Sequence, residues 1–314
     1  YQYISNVTVD GKPLNLYAKI KALFAINTGS MSHSFSTGAE WKMDKNYGSG
    51  QQYDPARPIS PGTPYRPRIY SRIPAMHQLG FYLQDNITLP VGGCLLSAQL
   101  GVRGSMMANL DSRYTMSRKP YFDPRLNLQW RFPEIGIAGK RMVIDLNGGW
   151  GRQTKFPTLL QLYPDKIYTD LIELNYYNLN PEYKRLHLRT YIDDPTNYAL
   201  LPARNDKWEL RLGAQYDGYS LSITYFRERM NDGFRSSSSV RPYSYRDYDE
   251  GAINANTLTG KPSLDNLPYT DKKILGTYST TTNGSRMIKE GMEWQLSTKR
   301  LDAIKTRLTV NGAW

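Results

Sequence analysis

Apolar and polar side chains alternate strictly along this chain, in segment after segment. Leu14, Leu16, Ala18, Ile20, Ala22, Phe24 and Ile26 share one face of an extended segment, against Asn15, Tyr17, Lys19 and Lys21 on the other. Phe35, Thr37, Ala39, Trp41 and Met43 oppose Ser34, Ser36, Glu40 and Lys42 in the same way. The rhythm returns around Leu96–Val102, Phe122–Phe132, Met142–Trp150, Trp208–Tyr216, Met292–Leu296 and Thr306–Trp314. A period of two excludes helix. The strands run about 10 to 13 residues, longer than the 5 or 6 usual in soluble sheets and suited to crossing a bilayer at a tilt. Their apolar faces are almost free of Lys and Arg, each of which costs about 2 to 4 kcal/mol at a bilayer midplane. The opposite faces are too charged for a sandwich interior and suit a water-filled lumen. The pattern therefore predicts an all-β fold, a transmembrane antiparallel β-barrel wall of about eleven strands. Asp85 interrupts the apolar face of Leu79, Phe81, Leu83, Ile87 and Leu89, where a bulge or a place near the interface would accommodate it.

Connection lengths test this reading independently, because such barrels alternate short periplasmic turns with long extracellular loops. A long Gly/Pro-rich loop runs to about Ala75, followed by the Pro90-Val91-Gly92-Gly93 turn, a medium loop around Asp111–Pro120 and a turn around Pro133–Gly139. A very long connection then spans about Arg152 to Asp206, and after the Asp217-Gly218 turn another spans about Asp232 to Ser285 before a turn near Lys299–Asp302. Within the first of these, Ile167–Tyr191 reads as two strands separated by Asn180-Pro181, predicted to form an extracellular hairpin rather than an extra transmembrane pair.

Composition removes other classes. No apolar stretch reaches the roughly 18 residues of a membrane helix. The single cysteine, Cys94, excludes a disulfide framework and a Cys-rich metal site. A formal charge of +12 is scattered rather than gathered into a block or stripe, which does not point to nucleic acid. There is no HExxH, GxSxG or Walker motif, and no catalytic residue, metal site or cofactor is assigned. His33, in Ser32-His33-Ser34, is expected on a polar strand face in solvent. The start, Tyr1-Gln2-Tyr3-Ile4, reads as mid-chain.

The stretch from Gly148-Gly149-Trp150-Gly151-Arg152 through Phe156-Pro157-Thr158-Leu159 to Tyr163-Pro164 resembles a barrel motif of TonB-dependent receptors. Phe81-Tyr82-Leu83-Gln84-Asp85-Asn86 with Leu100-Gly101-Val102-Arg103, Pro124-Arg125-Leu126-Asn127-Leu128 and Ala203–Leu210 are similar to further pieces of that family, in order over about two thirds of the chain. The loop from Tyr65-Arg66-Pro67-Arg68 to Ile73-Pro74-Ala75, and Tyr225–Met230, look most like its Bacteroidota branch. The resemblance implies a 22-stranded barrel with an N-terminal plug and a TonB box, so residues 1–314 are expected to be a partial barrel domain lacking plug and box. An open half-barrel leaves unpaired edges in lipid, so remaining barrel strands are implied partners. The other implied partners are outer-membrane lipid, the TonB energy-coupling complex reached through the absent plug, and a surface lipoprotein.

What the resemblance implies is a receptor in the bacterial outer membrane for active uptake of a glycan, siderophore, haem or peptide, with no bond made or broken. A passive porin-like barrel and a soluble surface glycan-binding β-protein are the rival readings. Loop aromatics and cations are the candidate ligand contacts: Tyr53, Tyr65, Arg66, Arg68, Tyr70 and Arg72 in the first long loop, and Tyr243, Tyr245, Arg246 and Tyr248 in the last.

Overall fold

The computed structural model describes residues 4–57 and 66–314. Its strands are β1 (Thr8–Asp10), β2 (Pro13–Thr28), β3 (Met31–Asn46), β4 (Gly50–Gln52), β5 (Met76–Val91), β6 (Cys94–Met107), β7 (Tyr121–Arg131) and β8 (Ile135–Ile137). They continue with β9 (Lys140–Lys155), β10 (Ile167–Tyr176), β11 (Arg185–Asp193), β12 (Ala203–Tyr216), β13 (Tyr219–Tyr248), β14 (Tyr269–Ser297) and β15 (Thr309–Ala313). An eleven-stranded antiparallel sheet follows chain order, β15-β14-β13-β12-β9-β7-β6-β5-β3-β2, with the three-residue β8 pairing β9 beside β7. The predicted wall of about eleven strands is thus ten wall strands and one short extension. No helix among the described residues is long and apolar enough to cross a membrane.

Alternation becomes two chemically distinct surfaces. Leu100, Leu128, Leu212 and Trp294 stand exposed on one face, since the sheet has nothing but lipid to bury them against. The opposite face is tied across strands by polar groups. Gln99 Nε2 donates to Asn86 Oδ1 at 3.0 Å and Asn127 Nδ2 to Gln99 Oε1 at 2.7 Å, while Arg103 pairs with Glu40 and Arg211 with Asp145. Cysteine at Leu128 or Leu212 is expected to react with lipid-phase reagents and resist aqueous ones, with the reverse at Gln129 and Arg211. Aqueous labelling of both members of a pair would contradict the barrel wall.

The β3/β5 and β5/β6 ladders run without a register shift, so no bulge accommodates Asp85. It faces outward opposite Phe35 and Leu100, and its Oδ2 lies 2.8 Å from Nδ1 of His33. His33 therefore does not sit on a solvated polar face. Its ring stacks at 5.7 Å on Phe35, two residues along the same face, and the flanking serines are what point inward.

The two ends differ as expected, with corrected lengths. At the short-turn end Asp217 and Gly218 both have positive φ (50° and 83°), the primed geometry that matches the twist of paired strands. Asp217 accepts from Lys140 and from Lys299, tying three neighbouring turns together. At the other end β9 runs to Lys155 and β12 begins at Ala203, so the very long connection is residues 156–202. It contains β10 and β11 as a separate antiparallel hairpin outside the wall. The expected loop from Asp232 to Ser285 is mostly strand, because β13 and β14 stay paired up to Tyr248 opposite Tyr269. Above the lipid both faces of a ribbon meet water, and its Ser/Thr-rich sequence loses the apolar alternation by which strands are read.

Candidate functional site

Among the described residues the main hydrophobic cluster lies beyond the loop end of the wall. Met107, Leu110, Tyr114, Met116, Phe156, Leu162 and Leu200 pack together, joined by Tyr121, Tyr163, Tyr198 and Phe234. Several connections build it, including the short helix α1 (Leu159–Leu162), whose N-terminus is closed by a Thr158/Gln161 capping box. The Tyr114 hydroxyl donates to the Leu162 carbonyl, and burial pushes that phenol above its ordinary range. The loops are therefore a packed cap, with clefts where its pieces meet.

One cleft of about 350 Å³ brings the first loop against the connection after β9. Arg66 stacks over Tyr168 at 4.8 Å and pairs with Asp170, and Arg68 Nε lies 2.8 Å from Asp165 Oδ1 while its guanidinium also donates to the Tyr163 carbonyl. Tyr70 and Arg72 form one turn of 3-10 helix, with Arg72 exposed at the cleft. Tyr53 is buried, and Tyr65 lies outside the described residues. Arg66 and Arg68 are thus neutralised by carboxylates within the cleft, Lys166 acts electrostatically on Asp194, and Arg72 forms no ion pair among the described residues. Cations beside the Tyr163 and Tyr168 rings can grip an anion and stack a flat or ring-shaped group.

The second group is not in a loop. Tyr243, Tyr245, Arg246 and Tyr248 lie in β13, because cross-strand pairing continues through them. Tyr243 is 1% exposed, and its hydroxyl donates to Asp193 at the end of β11. The Arg246 backbone N–H donates to Glu173 Oε1 at 2.9 Å, and its guanidinium stacks over Tyr269 at 4.4 Å. Tyr248 packs on Tyr269, and Tyr245 is half-buried. Tyr243 and Arg246 thus fasten the β10–β11 hairpin to the β13–β14 ribbon.

Two carboxylates complete that fastening. Asp193 also pairs with Arg241, and Glu173, 2% exposed, accepts from Arg189 at 2.5 Å and faces His187 at 3.4 Å. Burial alone would raise the Glu173 carboxyl. The Arg246 N–H and the Arg189 guanidinium outweigh it and hold the group below the ordinary carboxylate range. Sequence reasoning missed Tyr163, Lys166, Tyr168, Asp170, Glu173 and Asp193. Tyr163 fell within the motif ending Tyr163-Pro164, and alternation in Ile167–Tyr191 marked the hairpin without marking its partner.

A one-layer sheet, apolar outside and polar inside, with tight turns at one end and a folded cap at the other, defines part of an outer-membrane β-barrel wall. The family described as TonB dependent receptor-like, beta-barrel matches residues 1–308. The chain belongs to the TonB-dependent receptors, which are non-enzymatic barrels of the bacterial outer membrane. Similar solved structures include the siderophore receptor PirA of Acinetobacter baumannii, with TM-score 0.55 and 18% identity over 97% of this chain and 36% of that one. A variant of the ferric enterobactin receptor PfeA of Pseudomonas aeruginosa gives TM-score 0.54 and 17% identity over 97% and 35%. The chain spans about a third of the length of these receptors, and at such identity the likeness shows fold alone. No curated protein sequence matches it.

Proposed function

We propose that this chain forms part of the barrel of an outer-membrane receptor that takes up a scarce nutrient actively, driven by the TonB complex. In this reading further strands close the barrel on the free edges of β2 and β15, and a plug segment fills the lumen. The observation that carries the proposal is the packed cap with its cationic, aromatic cleft, since a passive pore has no need of a pre-formed capture surface. The ligand class suggested is anionic with flat or ring-shaped groups. The names of the structural neighbours, a siderophore receptor and a ferric enterobactin receptor, favour a metal chelate over a glycan. Assignment to the Bacteroidota branch rests on the loop motifs alone.

In the full-length protein, Arg72→Ala with Lys166→Ala is expected to weaken capture of an anionic ligand by about tenfold or more, while barrel assembly is unchanged. Uptake is expected to stop when the proton-motive force is collapsed. Uptake that persists in proportion to external concentration would favour a passive pore.

A further inference from the structure

The β10–β11 hairpin has two unlike faces. On one, Glu173, Tyr191 and Asp193 turn toward the β13–β14 ribbon and meet Arg246 and Tyr243. The other carries the cross-strand pairs Tyr168–Ile192, Asp170–Thr190 and Ile172–Leu188, and Leu186 continues its column on β11. Ile172, Leu186 and Ile192 are each more than half exposed, and Leu188 is 39% exposed. Four aliphatic side chains gathered on one strand face above the lipid form an apolar patch of the kind that marks a binding surface.

This face is continuous with the cationic cleft. Tyr168 belongs to both, since it lines the cleft beneath Arg66 and has Ile192 as its cross-strand neighbour. The next rung is polar but satisfied, because Thr190 Oγ1 donates to Asp170 at 2.6 Å and Asp170 also pairs with Arg66. Beyond it lie Ile172, Leu188 and Leu186. A molecule held by its charge against Arg72, beside the Tyr163 and Tyr168 rings, therefore has an apolar track leading away from it. From Ile192 to Leu188 the strand covers ~13 Å, the length of about ten extended methylenes.

We propose that the ligand of this receptor is an amphiphilic anion, whose head enters the cleft and whose aliphatic chain lies along Ile192, Leu188, Ile172 and Leu186. A head alone would leave the hairpin face in water, and a chain alone would leave Arg72 without a counter-charge. One molecule carrying both matches the two surfaces at once, and each methylene laid on the track adds to its retention. The inference rests on the reading of the cleft as an anion site and adds to it the class of molecule bound.

The test uses the full-length receptor in lipid nanodiscs and measures binding of para-decylbenzoate, benzoate and decyltrimethylammonium in excess over empty discs. The native protein is compared with Ile172→Ser/Leu188→Ser and with Arg72→Ala/Lys166→Ala, after heat-modifiable migration has verified that all are folded barrels. The native receptor is expected to hold para-decylbenzoate about tenfold or more tighter than benzoate. The serine variant is expected to lose that advantage while binding benzoate as the native protein does. Equal binding of the two benzoates by the native receptor, an undiminished advantage in the serine variant, or equal binding of decyltrimethylammonium would overturn the inference and leave the anion site standing. Benzoate binding unchanged in Arg72→Ala/Lys166→Ala would instead overturn the anion site, and the inference with it. On intact cells, Ile192→Cys is expected to react with a membrane-impermeant maleimide and to be protected far more by para-decylbenzoate than by benzoate. A cysteine already shielded without ligand would show that other loops or a partner cover this face, and would also overturn the inference.

Discussion

Leu212→Arg is expected to impair assembly of the receptor into membranes by about 2 to 4 kcal/mol, whereas Gln215→Arg is expected to be nearly neutral. Leu212 lies outward on β12, four residues from Trp208 and four from Tyr216, and therefore near the middle of the apolar band. Gln215, three residues away, is exposed on the polar face. Heat-modifiable migration of outer-membrane fractions measures the difference. Equal behaviour of the two variants would mean that the two faces of β12 do not meet different solvents.

The second large effect is expected at Glu173. Replacing it with Ala leaves Arg189 and the Arg246 N–H without their acceptor at a buried junction, a loss of about 3 to 5 kcal/mol for a broken buried pair and less where Arg189 reaches water. The expected outcome is an intact wall with a β10–β11 hairpin open to protease, read as cleavage within residues 177–184. Acid should act in the same direction. Because the folded-state pKa is lowered, Glu173 contributes stability that is present above its unfolded value and lost as pH falls through the folded value. Hairpin protection is therefore expected to hold at neutral pH and to fade in acid below the ordinary carboxylate range. A hairpin equally protected in the native protein and in Glu173→Ala would show that the junction is held by other contacts.

The wall was legible because lipid and lumen impose opposite solvents on successive residues, so Leu126, Leu128 and Trp130 could not be confused with Asn127 and Gln129. Legibility ended where that contrast ended. Ser236–Ser239 and Thr280–Thr282 are strand in water on both faces, and nothing in their hydropathy separates them from loop. The cleft residues were half legible. Arg66, Arg68 and Arg72 stood out by composition, but Tyr168, Asp170 and Asp165, the partners of Arg66 and Arg68, lie about a hundred positions away, and tertiary packing alone joins them. Tyr243 was misread for the same reason, since burial by Asp193 and Tyr191 depends on a contact that no local pattern encodes.

The cap also implies an order of events. Leu110, Phe156, Leu162 and Leu200 come from connections that can meet only after the strands between them have paired, since β7 and β9 hold the first connection beside the second and β12 returns the chain from beyond Leu200. Closing those loops early would cost entropy with no contact to offset it. The membrane-crossing hairpins should therefore form first and the cap last, so the cap matures as a late event on a wall already in place. A receptor halted during assembly would carry a complete wall and no cleft.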